Sequence, residues 1–416
     1  MVEDAGTEEA RNAAIRAEIM SRENLQTLLS LIHPHIDLNG KTLAYILAQT
    51  NRIGHFITEM QIIETLYRPH YDRIVIVSLP MSLPGTNPWV RNCFDEAYRF
   101  VETVDETINA MGLLIDGGVG KIGPVDLLLQ TPQRLHIEFF RSIVAGQTPA
   151  KLAVDDEITK RAETLLAEQG VDKDRPMVLL HIRTMQYKEN LTHNQHRTTD
   201  PLAYRDSVNW LLDEGYQVIR IGETGIEFDV NSATYFDSTG WADRGGFLDL
   251  YLAQHSRFGL MQDSGPVWMM GAFGRQAFRT NCPYIFLNYN FLDDPNLYKL
   301  YRHKCSQDFM TYREAMEAEL PLCTKQEDFD AKGVEMTNHE PGHLLEALRE
   351  MVSVNEGRTT PSETHRKKLY EIGASLENRM RDRPEWGGRG WDFYGMAHDK
   401  GWVPSVMEEI VPGYFD

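Results

Sequence analysis

Apolar and polar stretches alternate along the first half of the chain in a strand–helix–strand pattern. Residues 41–48 form an apolar run that predicts a strand, 56–67 carry apolar residues at helical spacing, and 73–78 form a β-branched strand. Because parallel strands need a crossover of this length, the first sheet is expected to be parallel. Further along, the pattern predicts a helix around 90–101 and a strand near 111–115.

The second half shows the same alternation with stronger strands. Apolar runs at 177–183, 217–223 and 234–237 predict three strands, with a helix over 201–214 between the first two. A turn at 261–266 then leads into an apolar helix. Polar residues stand at the carboxyl ends of these strands, where open parallel α/β sheets bind ligands. The second half therefore predicts an α/β fold with a site for a phosphorylated or polyhydroxylated ligand.

A chain of 416 residues is long for a single core, which favours two domains. Strand signals are lost between residues 145 and 155, and we expect the boundary there. This predicts one α/β domain over residues 1–150 and a second over 151–345. Residues 346–416 are expected to form a helical and aromatic tail that packs back across both domains.

Charge and hydropathy narrow the class of protein. The net charge of −19 argues against nucleic acid as a partner, because phosphate backbones need clustered Lys and Arg, although a few local arginines can still hold a small anion. The four cysteines form no CxxC pair, which argues against structural zinc. We find no apolar run of about 18 residues and no signal peptide. We therefore expect a cytoplasmic protein, with peripheral association at a membrane left open.

The turn Asp263-Ser264-Gly265-Pro266 has the form of a helix start, with Pro near the first helical position. The N–H groups at such a helix end bind anions, and Ser264 and Gly265 would add a hydroxyl and close backbone approach. An ordinary helix cap, for which Asp263 or Ser264 is sufficient, is the alternative. The position of the turn after a strand favours binding.

Two further strand ends carry candidate residues. His181 and Arg183 project from one face of their strand, and Arg183 suits bidentate contact with a phosphate or carboxylate. After the next strand, the Glu223 carboxylate suits ribose hydroxyls. In isolation, His181 would be a core histidine, Arg183 part of a surface ion pair and Glu223 a solvated side chain. Arg197 and Arg220 add positive charge near the same strand ends.

His181, His193 and His196 have a spacing that can ligate zinc, but no acidic partner or further histidine stands at a recognised offset. We therefore predict no metal site.

The loop Asn51-Arg52-Ile53-Gly54-His55 joins the first predicted strand to its helix. Gly54 allows close backbone approach, and His55 suits a general base near neutral pH. Glu59, at i+4 on the same helical face, is the alternative base. A helix start with a satisfied histidine is an equally open interpretation. Neither a GxGxxG nor a GxxxxGK[ST] motif follows this strand, which argues against dinucleotide-dependent oxidoreductases and P-loop enzymes.

Taken together, the motifs His181-Ile182-Arg183, His196-Arg197-Thr198-Thr199-Asp200, 218–222 and Asp263-Ser264-Gly265-Pro266 resemble a bacterial glycosyltransferase family encoded with surface-polysaccharide genes. The layout is similar to that of fucosyltransferase-like and heptosyltransferase-like enzymes of the GT-B fold. The match covers about residues 175–290 and, more thinly, 41–80. Thr198 departs from it, because Asn is expected there.

The resemblance implies two Rossmann-like domains facing a cleft, the first for the acceptor and the second for a nucleotide-sugar donor. It implies inverting transfer of a hexosyl or deoxyhexosyl group to a glycan, lipid-linked or protein acceptor, with no metal and no cofactor. His55 or Glu59 would be catalytic, and Asn51, Arg52 and Gly54 would form the acceptor loop. The donor-binding residues would be His181, Arg183, His196, Arg197, Arg220, Gly222, Glu223, Asp263, Ser264 and Gly265. A nucleotide-sugar epimerase of the same fold and a non-catalytic GT-B-like binding protein are the alternatives.

Overall fold

The computed structural model describes residues 2–184, 196–226, 228, 230–285, 293–323, 325–381 and 401–416. The chain divides into two compact units, Met1–Asp155 and Asp156–Asp416. The division falls at the end of the polar stretch in which strand signals are lost.

The first unit is built around a five-stranded sheet of order β3-β2-β1-β5-β4. Strands β1, β2, β3 and β5 are parallel, and β4 pairs antiparallel with β5 at one edge. In chain order its elements are α1 (Val2–Ile19), α2 (Arg22–Ile32), β1 (Thr42–Leu47), α3 (Ile53–Leu66), β2 (Arg73–Ser78), β3 (Tyr98–Glu102), α4 (Glu106–Leu114), β4 (Gly118–Ile122), β5 (Val125–Leu129) and α5 (Pro132–Val144). The expected parallel sheet is confirmed, with one antiparallel edge strand added.

Helices cover both faces of this sheet, which is why β1 reads as a continuous apolar run. Ala44 and Ile46 pack in one core with residues of α1, α2 and α4. Tyr45, between them, faces α3 on the other side. Gly112 lets α4 lie directly on β1, because a Cβ there would stand 2.6 Å from the Ile46 carbonyl oxygen.

Two predicted elements of the first unit are wrong. The expected helix at 90–101 is a 3₁₀ turn, Pro88–Cys93, followed by β3, because the Asp95 side chain and carbonyl accept from the N–H groups of Ala97 and Tyr98 and so close a turn. The expected strand at 111–115 belongs to α4. Asp105 starts that helix by accepting from the N–H groups of residues 107 and 108, and this cap outweighs the apolar run.

The second unit holds a six-stranded sheet and a separate two-stranded one. In chain order its elements are α6 (Asp156–Glu168), β6 (Met177–His181), α7 (Arg205–Asp213), β7 (Gln217–Ile221), β8 (Tyr235–Asp237), α8 (Gly246–His255), β9 (Phe258–Gln262), α9 (Gly265–Ala272), β10 (Ala277–Cys282), β11 (Asn296–Tyr298), β12 (Leu300–His303), α10 (Tyr312–Glu317), α11 (Gln326–Ala331), β13 (Val334–Thr337), α12 (Pro341–Asn355), α13 (Glu363–Arg381) and α14 (Val406–Ile410).

The large sheet is entirely parallel and has the order β8-β7-β6-β9-β10-β11. Counted along the chain, this is the 3-2-1-4-5-6 order of the doubly wound Rossmann fold. From β6 the chain forms β7 and β8 on one side of that strand. It then returns and forms β9 on the other side of β6. Strands β6 and β9 therefore flank the topological switch point, where such sheets bind ligands beyond their carboxyl ends.

The C-terminal helices and the described end of the chain lie in the core of the second unit. Leu348 of α12, Leu376 of α13 and Phe415 are buried with Val178 and Leu180 of β6. Residues 401–416 also extend the sheet, because Trp402 bridges to Pro295 beside β11. Packing of the tail across both units stays a prediction.

Candidate functional site at the carboxyl edge of the second sheet

Three neighbouring strands deliver polar residues to the switch point. His181 ends β6 and Arg183 follows it, Gly222 and Glu223 follow β7, and the turn 263–265 lies between β9 and α9. Since the strand order is β7-β6-β9, these ends are adjacent along one edge. The backbone N–H of Arg183 donates to Gln262 Oε1 at 2.5 Å, which ties the ends of β6 and β9 together.

The His181 ring lies against Gly222. Gly222 has a φ of +114°, and a Cβ there would stand 3.1 Å from His181 Cδ2, so both the backbone and the space require glycine. The ring is only 3% exposed, and its Nδ1 is buried with no hydrogen-bond partner. Burial and the nearby Arg183, Arg220 and Arg244 lower the pKa of His181 to about 3. The imidazole is therefore neutral, and its Nδ1 has no hydrogen-bond partner within the described part of the protein.

Glu223 is the second unsatisfied group at this edge. Its Oε2 atom is buried and has no hydrogen-bond partner. Burial raises the pKa of this carboxyl, while Arg183, Arg220 and Arg244 lower it. The same three arginines lower the pKa values of His181 and Glu223. Both side chains therefore lie in one region of positive charge.

Arg220 was expected to contact the donor, which stays a prediction, and the structure gives its guanidinium several protein partners. The side chain is fully buried, and its guanidinium donates to Asp237 Oδ2 at 2.7 and 3.1 Å, to Thr239 Oγ1 at 2.9 Å and to the Glu223 carbonyl at 3.1 Å. Helices cover both faces of a parallel sheet, so a residue inside β7 is enclosed whichever way it points. Arg220 fixes the turn after β7, and its positive charge acts on His181 and Glu223.

Asp263 is also enclosed. Arg279 Nη2 donates to its Oδ1 at 3.0 Å, and Arg197 Nη2 donates to its Oδ2 at 3.3 Å and to its carbonyl at 2.7 Å. Asp263 and Arg279 are 3% and 2% exposed at their side chains, whereas Arg197 keeps 22%. The carboxylate thus joins β9, β10 and the loop after β6, and Arg197 is the member of the trio that a ligand can reach.

The turn after β9 leaves the start of helix α9 open. Ser264 is the N-cap residue of this helix, but its side chain makes no capping hydrogen bond, and Pro266 occupies the first turn. The amino end of a helix carries partial positive charge. Gly265 allows an anion to approach the backbone there.

His196 lies beside this group, because the ring of its partner Tyr284 is 5.6 Å from the Arg197 guanidinium carbon. Its Nε2 lies 2.5 Å from the Tyr284 hydroxyl, and its ring packs edge-on to Tyr284 and against Phe329. The side chain is 6% exposed. The ring packs in an aromatic cluster, and its contact with the donor stays a prediction.

Arg244 and Asp249 were missed from the sequence. Arg244 lies in the loop between β8 and α8, and its Nη2 donates to both carboxylate oxygens of Asp249 at 2.9 and 3.1 Å. Its Nε is buried without a partner. A sequence signal existed in the pair Arg244 and Gly245 ahead of a helix, after a strand of three residues that was predicted.

In the first unit, the loop after β1 leads to His55 on the first turn of α3. Asn51 and Arg52 are exposed, and Arg52 caps α3 without a side-chain hydrogen bond. His55 Nδ1 lies 3.2 Å from Glu59 Oε1, as the i, i+4 spacing predicts. The His55 side chain is 36% exposed, whereas that of Glu59 is fully buried. His55 is therefore the member of the pair that is open to solvent, and Glu59 as the direct base stays a prediction.

Among the residues with described positions, no three His, Cys, Asp or Glu side chains are grouped to hold a metal ion. His193 lies outside that set. In the same part of the chain, no helix is long and apolar enough to cross a membrane.

Comparisons with known proteins give structural matches alone. No family model and no curated sequence matches the chain. A glycosyltransferase of family 9 from Veillonella parvula DSM 2008 matches with 12% identity and a TM-score of 0.39, over 59% of this chain and 81% of that one. The E. coli ADP-heptose LPS heptosyltransferase II matches with 13% identity and a TM-score of 0.34, over 57% and 84%.

A variant of the wall teichoic acid polymerase TagF matches with 10% identity and a TM-score of 0.25, over 90% of this chain and 99% of that one. The chain is thus similar to two solved sugar transferases and to a solved teichoic acid polymerase, each at 10–13% identity. Its own strand orders define the fold, which is α/β with two mainly parallel, helix-covered sheets.

Proposed function

We propose that this chain is a glycosyltransferase that moves a hexosyl or deoxyhexosyl group from a nucleotide-sugar to an acceptor hydroxyl. The observation that carries the proposal is the switch point of the second sheet. There, two unsatisfied buried groups, His181 Nδ1 and Glu223 Oε2, share a cluster of arginines beside an uncapped helix start. A ligand that satisfies them must combine negative charge with hydroxyl donors, as a nucleoside diphosphate does.

Each part of this edge suits one part of the donor. Glu223 Oε2 accepts a hydrogen bond from a ribose or sugar hydroxyl. Arg183, Arg197 and the amino end of α9 offset the charge of the diphosphate, a role for which guanidinium groups and helix starts are well suited. Because these groups supply the positive charge that the leaving group needs, the proposal includes no metal and no further cofactor.

In the reaction, His55 takes the proton of the acceptor hydroxyl and the oxygen attacks the anomeric carbon. The bond from that carbon to the diphosphate breaks, and the nucleoside diphosphate leaves with the electron pair. Attack opposite the leaving group inverts the anomeric configuration. The acceptor is a glycan, a lipid-linked molecule or a protein, and Asn51, Arg52 and Gly54 are the loop residues proposed to meet it. The setting proposed is the cytoplasm.

The test of donor binding is a thermal-shift screen of the full chain against nucleotides and nucleotide-sugars, because a ligand that binds the native state raises its melting temperature. The best binder is then titrated against the Arg183→Ala variant. We expect an affinity loss of about 1.5–3 kcal/mol, the range for a hydrogen bond to a charged group.

Arg175→Ala is the matched control, because Arg175 is exposed and precedes the same strand at its amino end. It should leave the affinity unchanged. Equal affinity of wild type and a folded Arg183→Ala protein would remove Arg183 from the site. Consumption of the nucleotide-sugar into an isomer with no acceptor present would instead indicate the epimerase alternative.

A further inference from the structure

Three residues of the first unit form a hydrogen-bonded chain that starts in the sheet and ends at the surface. The Tyr45 hydroxyl, on β1, donates to Glu59 Oε2 at 2.6 Å. The other carboxylate oxygen, Oε1, lies 3.2 Å from His55 Nδ1. Tyr45 and Glu59 are fully buried, and only the imidazole reaches solvent.

We infer that Glu59 and Tyr45 are positioning residues that hold His55 in the tautomer with the proton on Nδ1 and Nε2 free to accept one. This inference rests on the proposed function for its use in transfer, but the geometry stands without it. A carboxylate only accepts hydrogen bonds, so His55 Nδ1 must be the donor in this pair. The opposite nitrogen of a neutral ring is then unprotonated.

The buried position of Glu59 has two consequences. The carboxylate stabilises the imidazolium that forms when Nε2 takes a proton, as in serine hydrolases, where a buried carboxylate orients the catalytic histidine. It also needs partners of its own, because an unpaired buried charge is costly. Tyr45 supplies one of them.

Tyr45 remains a donor across the working range of an enzyme. Burial and the neighbouring Glu59 raise its pKa well above the usual value for tyrosine. Its hydroxyl therefore keeps its proton and holds Oε2, which leaves Oε1 directed at His55.

The second imidazole near this chain, His136, does not compete for Glu59. Its Nδ1 lies 2.6 Å from the Pro132 carbonyl oxygen. Burial lowers its pKa, against smaller opposing effects from the hydrogen bond to Pro132 and from Glu59. His136 is thus neutral at physiological pH, and its Nδ1 proton is directed at the backbone.

The test is the tautomer of His55, read from ¹⁵N chemical shifts of the full chain labelled at histidine and recorded at pH 8.5. The signal is assigned by its loss in His55→Gln. In the wild type we expect a protonated Nδ1 and an unprotonated Nε2. In Glu59→Gln the amide can donate to Nδ1, so the expected result is transfer of the proton to Nε2.

Tyr45→Phe should lower the fraction of the Nδ1–H tautomer without removing it. The matched control is Tyr71→Phe, which deletes the hydroxyl that donates to Asp126 Oδ2 at 3.1 Å in the same unit. It should leave the His55 signals unchanged. A wild-type ring protonated at Nε2, or a tautomer that ignores Glu59→Gln, overturns the inference. If Glu59→Gln does not fold, the inference is tested by the wild-type tautomer of His55 and by its response to Tyr45→Phe.

Activity supplies a separate outcome once the screen has identified a donor. We then expect Glu59→Gln to lower kcat for donor hydrolysis by about 10²–10⁴-fold with little change in KM, because the wrong nitrogen carries the proton. Unchanged kcat with a reversed tautomer would overturn the role of the chain in catalysis. Failure of every nucleotide to bind would overturn the proposed function and leave the tautomer result standing.

Discussion

The carboxyl edges of the two sheets are built in opposite ways. At the second sheet, charge is concentrated and largely enclosed, with Asp263 held between Arg197 and Arg279 and with Arg220 fully buried. At the first sheet, the His55 imidazole is 36% exposed and is paired with the fully buried Glu59 carboxylate. An enclosed cluster has fixed dipoles and suits the binding of a charged group, whereas an exposed ring on a fixed support suits proton transfer. In the proposed function, the edge of the second sheet binds the donor and the edge of the first sheet carries the base.

The largest expected effect tests the catalytic side of this division. His55→Ala should lower turnover by about 10²–10⁴-fold and leave donor affinity nearly intact, because the ring only exchanges a proton. Turnover and nucleotide titration of the same preparation measure both quantities. The control is His70→Ala, an exposed histidine of the same unit. Weaker donor binding in His55→Ala would show that His55 is a binding residue. Binding and catalysis would then not be divided between the two sheets.

The next effect tests enclosure at the second sheet. Asp263→Ala leaves Arg279 buried without its carboxylate, and we expect the free energy of unfolding to fall by about 3–5 kcal/mol. Urea denaturation measures this loss. Asp330→Ala, which breaks the exposed pair with Lys304, should cost no more than about 1 kcal/mol. Similar losses in the two variants would mean that the Asp263 cluster is not truly closed to water.

A smaller effect concerns the contact between β6 and β7. Gly222→Ala should lower the free energy of unfolding by about 1–3 kcal/mol, because φ is positive and the new Cβ meets the His181 ring. Gly215→Ala separates the two causes. Gly215 also has a positive φ, of +91°, but a Cβ there would meet nothing within 4 Å. If both variants lose equal stability in denaturation, the His181 contact contributes nothing.

The last prediction extends the comparison to the amino edge of the second sheet. There the buried Asp294 accepts from the Ala277 N–H at 3.1 Å, and no ion pair to it occurs among the residues with described positions. Burial raises the pKa of Asp294 to about 7. Its contribution to stability is therefore full below about pH 4, the unfolded value, and is lost as the pH rises through about 7.

Asp294→Asn should remove this slope, which is at most about 1.4 kcal/mol per pH unit. Denaturation at pH 4 and pH 8 checks it. The variant is expected to match the wild type at the lower pH and to exceed it at the higher one. An unchanged slope would show that Asp294 ionises as freely in the folded protein as in the unfolded one.

The sequence predicted the strands of both units well where apolar runs were long, as at β1, β2, β6 and β7. It could not predict the strand order that brings β6 and β9 together, because order depends on contacts between distant segments. It did not show that Arg220 is enclosed, since burial on both faces of a parallel sheet leaves no periodic signal. Arg244 was missed because its contact with Asp249 depends on the course of the loop after β8, which the sequence pattern does not give. The i, i+4 relation of His55 and Glu59 is local, and it was therefore predictable.

The backbone pairing of Trp402 with the strand edge bears on how the protein is made. Trp402 accepts from the Asn296 N–H at 2.8 Å and donates to the Asp294 carbonyl at 3.3 Å, beside the outermost strand β11. Until residues 401–416 leave the ribosome, this edge is open and able to pair with another chain. The first unit can fold during synthesis, whereas the second is completed only by this late segment. Shielding of nascent β11 by a chaperone would therefore matter most in the interval before Trp402 emerges.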